Sequence, residues 1–112
     1  MWIFTTFGYF SVVQKQPGDN FLTVRARDPK DLDCLRKHIP ELGPTEIKGG
    51  DYFCRAKVSR PGLATGLAKI ASEIGCSNFK DAVYESRGSE RARIYHDVWA
   101  AACQIQESSR RR

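Results

Sequence analysis

The residues Phe21-Leu22-Thr23-Val24-Arg25-Ala26-Arg27 alternate with period two and run straight into Asp28-Pro29-Lys30-Asp31, after which Leu32, Leu35 and Ile39 recur at helical spacing. A period that changes at one point marks a joint between a strand and a helix. Asp28 is an acid that can accept from first-turn N–H groups, and Pro29 lacks an N–H that a first helical position would leave unused. The joint restricts the chain to folds in which a sheet carries helices.

The flanking segments repeat this logic. Trp2-Ile3-Phe4-Thr5-Thr6-Phe7 and Tyr9-Phe10-Ser11-Val12-Val13 are β-branched and aromatic around Gly8, which predicts a kinked strand or a tight hairpin. Gln16-Pro17-Gly18-Asp19-Asn20 is a dense turn cluster before the Phe21 strand. Pro40 and Gly43-Pro44 stop the first helix, and Thr45-Glu46-Ile47-Lys48 and Asp51–Val58 flank Gly49-Gly50 in a hairpin pattern. Ser59-Arg60-Pro61 opens a second helix with a stripe of Leu63, Leu67, Ile70 and Ile74, ended by Gly75. Ser77 is the expected cap of a short helix with Phe79 and Val83 inward. After Gly88 a longer helix carries Ile94, Tyr95, Val98, Trp99, Ala102 and Ile105.

The order Phe21–Ile74 is therefore βαββα, which lacks only the last strand of a ferredoxin-like βαββαβ unit. An N-terminal strand in that place gives an α+β fold: a permuted, ferredoxin-like-related antiparallel sheet with helices on one face and an all-helical C-terminal third. The expected organisation is a single α+β domain over 1–107 and a basic tail over 108–112.

At 112 residues one core is expected without disulfides or a structural metal. No apolar run approaches the ~18 residues that would span a bilayer. The Met1-Trp2-Ile3-Phe4 start has no basic segment of the secretory kind, so a cytoplasmic location is expected. The formal charge is +5, from 18 Lys and Arg against 13 Asp and Glu; setting Arg110, Arg111 and Arg112 aside leaves 15 against 13, so most of the excess lies in the tail. Such a tail reads as a frayed terminus or as a contact to phosphate or acidic protein. Cys34, Cys54, Cys76 and Cys103 are too far apart for zinc or redox spacing and read as free, buried thiols, with Cys76 the one candidate for a nucleophile. No cofactor is expected, because no nucleotide, nucleophile-elbow or zinc-helix motif occurs.

Alternation also separates the two sides of the sheet. With Leu22, Val24 and Ala26 toward the helices, Phe21, Thr23, Arg25 and Arg27 face away; with Tyr52, Cys54, Ala56 and Val58 inward, Phe53, Arg55 and Lys57 face away. In a ferredoxin-like sheet these are adjacent strands, so Phe21, Arg25, Arg27, Phe53, Arg55 and Lys57 are expected to cluster as a basic, aromatic face. Such faces hold single-stranded nucleic acid by stacking and phosphate contacts. No RNP-like signature accompanies it. An ordinary solvated face, or one covered by the N-terminal segment or a second subunit in a homodimer, is the alternative.

Three functions remain in view. The first is a non-enzymatic module that engages nucleic acid or a nucleoprotein complex through this face. The second is a phage or prophage interaction or inhibitor module directed at an acidic or nucleic-acid-binding protein. The third is a small metal-dependent hydrolase or nuclease using His96 with Glu73, Asp81 or Glu85, while His38 is better explained by the helix dipole.

The segments Trp2-Ile3-Phe4-Thr5, Gly8–Val13, Val24-Arg25-Ala26-Arg27, Ser77-Asn78-Phe79-Lys80 and Tyr95-His96-Asp97-Val98-Trp99 together resemble a family of small hypothetical bacterial proteins. That resemblance spans most of the chain and implies a bacterial or bacteriophage source and one stable domain. It carries no activity and no functional residue. The arginine tail and the four cysteines depart from the pattern.

Overall fold

The computed structural model describes residues 1–111. The chain divides into two compact units, Met1–Gly75 and the residues from Cys76 onward.

The first unit begins with a hairpin of β1 (Trp2–Phe4) and β2 (Tyr9–Val13), paired antiparallel. Thr5 forms its turn: the hydroxyl donates to the Gly8 carbonyl (2.8 Å) and accepts from the Gly8 N–H (3.0 Å). Gly8 is required there because a Cβ would lie 2.9 Å from Asp31 and from the Phe10 ring. Strand β3 (Phe21–Ala26) leads to α1 (Pro29–His38), with the Asp28 carboxylate accepting from the Lys30 N–H at the cap. The Arg36 guanidinium then ties down the following loop by donating to the Gly43 carbonyl (2.7 Å) and the Thr45 hydroxyl (2.9 Å). Strands β4 (Glu46–Ile47) and β5 (Cys54–Ser59) form the second hairpin, with Gly50 at φ 104° in its turn. The Ser59 hydroxyl caps α2 (Arg60–Ser72) by accepting from the Gly62 N–H.

All five strands make one antiparallel sheet in the order β1-β2-β3-β5-β4. The βαββα run from β3 to α2 is thus completed by β2, which pairs beside β3 where the last ferredoxin-like strand would lie. The fold is α+β with its final third helical, as the sequence indicates. One sheet face, carrying Phe10, Val12, Val24, Ala26, Ala56 and Val58, is buried against Leu32, Leu35 and Ile39 of α1 and Leu63 of α2. Burying one such side chain contributes roughly 1.5–3 kcal/mol.

The second unit holds α3 (Phe79–Arg87) and α4 (Ser89–Arg110). Val83 and Tyr95 are buried, and the Tyr95 ring stacks on Phe79 at 5.9 Å.

Several local expectations are corrected. Helix α2 stops at Ser72 rather than Gly75, so Ile74 leaves the stripe and is exposed. Asn78, not Ser77, caps α3, accepting from the Asp81 N–H at 3.0 Å. On α4, Ile94, Val98, Trp99, Ala102 and Ile105 are exposed and only Tyr95 is buried. Residues 108–110 of the expected tail continue α4, and Arg112 lies outside the described residues.

Candidate functional site

The sheet face opposite α1 and α2 is organised by strand register. One row crosses all five strands as Trp2, Ser11, Arg25, Arg55 and Glu46. Its neighbour on one side is Val13, Thr23 and Lys57, and on the other the pair Phe4 and Tyr9. Alternation places these side chains away from the core because their chain neighbours Phe10, Val12, Val24 and Ala56 form it.

The face has an aromatic half. Phe4 stacks on Tyr9 with ring centroids 4.4 Å apart, and Trp2 meets Tyr9 edge-on at 5.9 Å. The Tyr9 hydroxyl lies 3.1 Å from that of Tyr52. Above the Tyr52 ring sit two guanidinium groups, Arg25 at 4.5 Å and Arg27 at 4.3 Å from the centroid. This corrects the inward placement of Tyr52: β5 begins at Cys54, and the bend over residues 51–53 breaks the alternation before Tyr52 is reached.

The two phenols titrate in opposite directions. Burial, with the Tyr52 hydrogen bond and charge, pushes Tyr9 well above the ordinary tyrosine range. Burial also acts upward on Tyr52, but hydrogen bonds with Tyr9 and Ser11 and the charges of Arg27 and Arg25 outweigh it and bring the group below its usual value. Tyr52 is therefore the phenol that ionises first, with Tyr9 donating to it.

The basic half differs in how far its charges are matched. Arg27 forms an ion pair with Asp51 at 3.4 Å and also donates to the Asp51 carbonyl. Arg25 donates to the Ser11 hydroxyl at 2.8 Å. Arg55 stands directly across from Arg25 in the β3–β5 ladder and from Glu46 in the β4–β5 ladder, and among the described residues no hydrogen bond or ion pair reaches its side chain. The Nε atoms of both arginines are buried without a hydrogen-bond partner. Like charges directly opposite one another destabilise a sheet, and a buried unpaired donor adds to that penalty.

Beside Arg55 a cleft of about 660 Å³ opens between the β2–β3 loop and the β4–β5 hairpin. Lys15, Lys48, Arg55 and Lys57 line it with Thr23, against two acids, Asp19 and Glu46.

The six residues singled out from the sequence are thus divided. Arg25, Arg27, Arg55 and Lys57 share the open side of one ladder. Phe21 and Phe53 are exposed but stand at its opposite ends, since Phe21 pairs with Ser59 and Phe53 precedes Cys54. At ~3.3 Å per residue that separates them by roughly 20 Å. Trp2, Phe4, Tyr9, Tyr52, Lys15 and Lys48 join the face without having been selected. Tyr9 and Ser11 were accessible from the parity of β2, whereas Tyr9 with Tyr52 is a contact between residues 43 apart.

The other candidates fall elsewhere. His96 Nδ1 lies 3.1 Å from Lys80 Nζ and the ring stacks on Trp99, with no ion pair to Asp81 or Glu85 among the described residues. Glu73 faces His38 at 3.7 Å within the first unit, where His38 also stacks on Phe7. The four cysteines are free; burial pushes the Cys54 thiol up, and Cys76 is exposed. No helix is long and apolar enough to cross a membrane, and no group of three or more metal-binding side chains occurs among the described residues. Comparison with protein-family models, curated proteins and solved structures gives no match.

Proposed function

We propose that the chain is a non-enzymatic module that binds single-stranded nucleic acid, free or within a nucleoprotein complex, across the open sheet face. The observation that carries this reading is the opposed Arg25–Arg55 pair. Two arginines stand opposite one another in the ladder, each with a buried Nε that has no hydrogen-bond partner among the described residues, on a surface that also presents exposed rings. A polyanion laid along the face would neutralise both cations and supply acceptors. Trp2, Phe21 and Phe53 are each at least half exposed, and a base stacked on such a ring gains roughly 1–3 kcal/mol. Because every base offers a π-face and phosphates carry no sequence, the recognition would be sequence-tolerant.

Binding of a fluorescent oligothymidylate to the whole chain tests this, measured by anisotropy over a range of salt concentrations. Affinity should fall on a log–log plot with a slope of about −0.7 for each phosphate neutralised. Trp2 emission, read in a Trp99→Phe background, should be quenched as bases stack. No binding at low salt, or binding unchanged in Arg25→Glu with Arg55→Glu, would refute the proposal.

A further inference from the structure

We propose that the cleft between the β2–β3 loop and the β4–β5 hairpin is a binding site for a phosphate group, with Arg55 and Lys57 as its principal contacts. This deepens the reading above by naming where on the face one phosphate is held, and it rests on that reading only for the source of the phosphate.

Four cations and two acids line the cleft, an excess of two positive charges. The Asp19 carboxylate accepts from the Phe21 N–H at 3.0 Å, and Glu46 lies 3.9 Å from Lys48. Lys15, Arg55 and Lys57 are left with no side-chain partner among the described residues. A half-buried guanidinium in that condition has surrendered water without gaining an acceptor, and an anion delivered into the cleft restores what was lost.

The geometry selects the kind of anion. Arg55 and Lys57 are two residues apart on one strand, so their side chains leave the same face and stand roughly 7 Å apart at the backbone. A carboxylate offers two oxygens in a plane, whereas a phosphate group offers three or four in a tetrahedron and can meet a planar guanidinium and a separate ammonium together. Thr23 is the direct cross-strand partner of Lys57, and its hydroxyl is a donor at the cleft floor. Lys15 reaches the cleft from the loop that closes one end, where Gly18 adopts φ 77°. The volume is large enough for one nucleotide unit rather than a bare ion, so the phosphate can arrive as an internal phosphodiester, a terminal phosphomonoester or a free nucleotide.

The test is a titration of the isotopically labelled chain, followed by two-dimensional NMR, first with inorganic phosphate and then with oligothymidylates bearing a 5′-phosphate or a 5′-hydroxyl. Saturable shifts should appear at Lys15, Thr23, Arg55 and Lys57. Arg55→Gln with Lys57→Gln should weaken phosphate binding tenfold or more, the loss expected when a charge-assisted contact is removed. Lys15→Gln, at an exposed loop position, should weaken it by a smaller factor with the spectrum otherwise unchanged. Tighter binding of the 5′-phosphorylated strand assigns the site to a chain end, and equal binding of both strands, lost in the double variant, assigns it to an internal phosphodiester. Absence of saturable shifts at these residues, or equal affinity in the double variant, overturns the site. If oligonucleotide still binds that variant with wild-type affinity, the site fails and the open-face reading stands. If inorganic phosphate binds the cleft while no oligonucleotide binds, the site stands and the open-face reading fails.

Discussion

Replacing Arg55 by glutamine should make the first unit more stable while weakening ligand binding. Arg55 stands opposite Arg25 in the ladder, and removing one of two like charges in that position returns roughly 0.2–1 kcal/mol. Its Nε is buried without a partner, and relieving that group returns on the order of 1 kcal/mol when the side chain is only half-buried. Against this, glutamine covers about one methylene less surface, worth roughly 0.4 kcal/mol at half burial. The same register sets Glu46 across from Arg55 on the other side, and losing that opposite-charge pair costs a comparable amount, roughly 0.2–1 kcal/mol. The balance is a gain of about 0.6 kcal/mol, which for a unit of this size raises Tm by roughly 2–5 °C. The two Coulombic contributions oppose one another, so the gain should persist in about 1 M salt, where the screening length falls to ~3 Å. Urea and thermal unfolding in a Trp99→Phe background isolate the effect, because Trp2 then reports on the first unit alone. Destabilisation by more than about 1 kcal/mol would refute the reasoning, since the guanidinium would then belong to the packing of the sheet rather than await an anion.

Other outcomes follow from particular contacts. Gly66→Ala would place a Cβ 2.3 Å from Cγ1 of fully buried Ile39, and the overpacking should destabilise by roughly 1–3 kcal/mol despite the better helix propensity of alanine; Ile39→Ala in the same chain should be less than additive. Asn78→Ala should lower the stability of the helical unit by about 1 kcal/mol, whereas Ser77→Ala should leave it within a few tenths, as chemical denaturation can measure. Ultraviolet titration should show one phenol ionising below the ordinary value of 10, absent in Tyr52→Phe. The sign for folding is set by the same shifts: the lowered Tyr52 adds stability as pH rises toward 10 and loses it as pH falls through its folded pKa, while the raised Tyr9 removes stability as pH climbs past 10.

What could be read from the sequence was local. Asp28 and Ser59 cap helices because each needs only its own side chain and the next few N–H groups, and Gly49-Gly50 turns a hairpin for the same reason. Ser77 and Asn78 are adjacent residues of equal capping ability, so only the fold of the first turn decides between them. Tyr52 departs from the parity of β5 because the strand begins only at Cys54 and the bend over residues 51–53 turns the side chain to the other face. Periodicity identified the apolar face of α4 but not its cover. Helix α3 has nine residues and α4 has 22, about 14 Å against 33 Å, so α3 shields less than half of its partner and leaves Trp99 and Ile105 exposed. The aromatic half of the open face depends on register among three separate segments, and no local pattern encodes it.

The sheet's edges sharpen the case for its face. An exposed edge strand invites another chain to pair with it, and short edges are a common way to discourage that. Here the edges are β1, with three residues, and β4, with two. Main-chain addition therefore has little to grip, so the proposed ligand would work through side chains on the flat of the sheet. On that surface the basic residues are not equivalent. Arg27 is matched by Asp51 and Arg25 leans on Tyr52 and Ser11, whereas Arg55 and Lys57 have no such partners among the described residues. A face shaped only for solubility would intersperse acids among these positions, as an exposed antiparallel face readily allows. In this chain the central row places two arginines opposite one another, with its one acid, Glu46, across from Arg55 on the edge strand. Under the proposed reading, the stability that the arginine pair costs the empty face is recovered when an anion lies across the row.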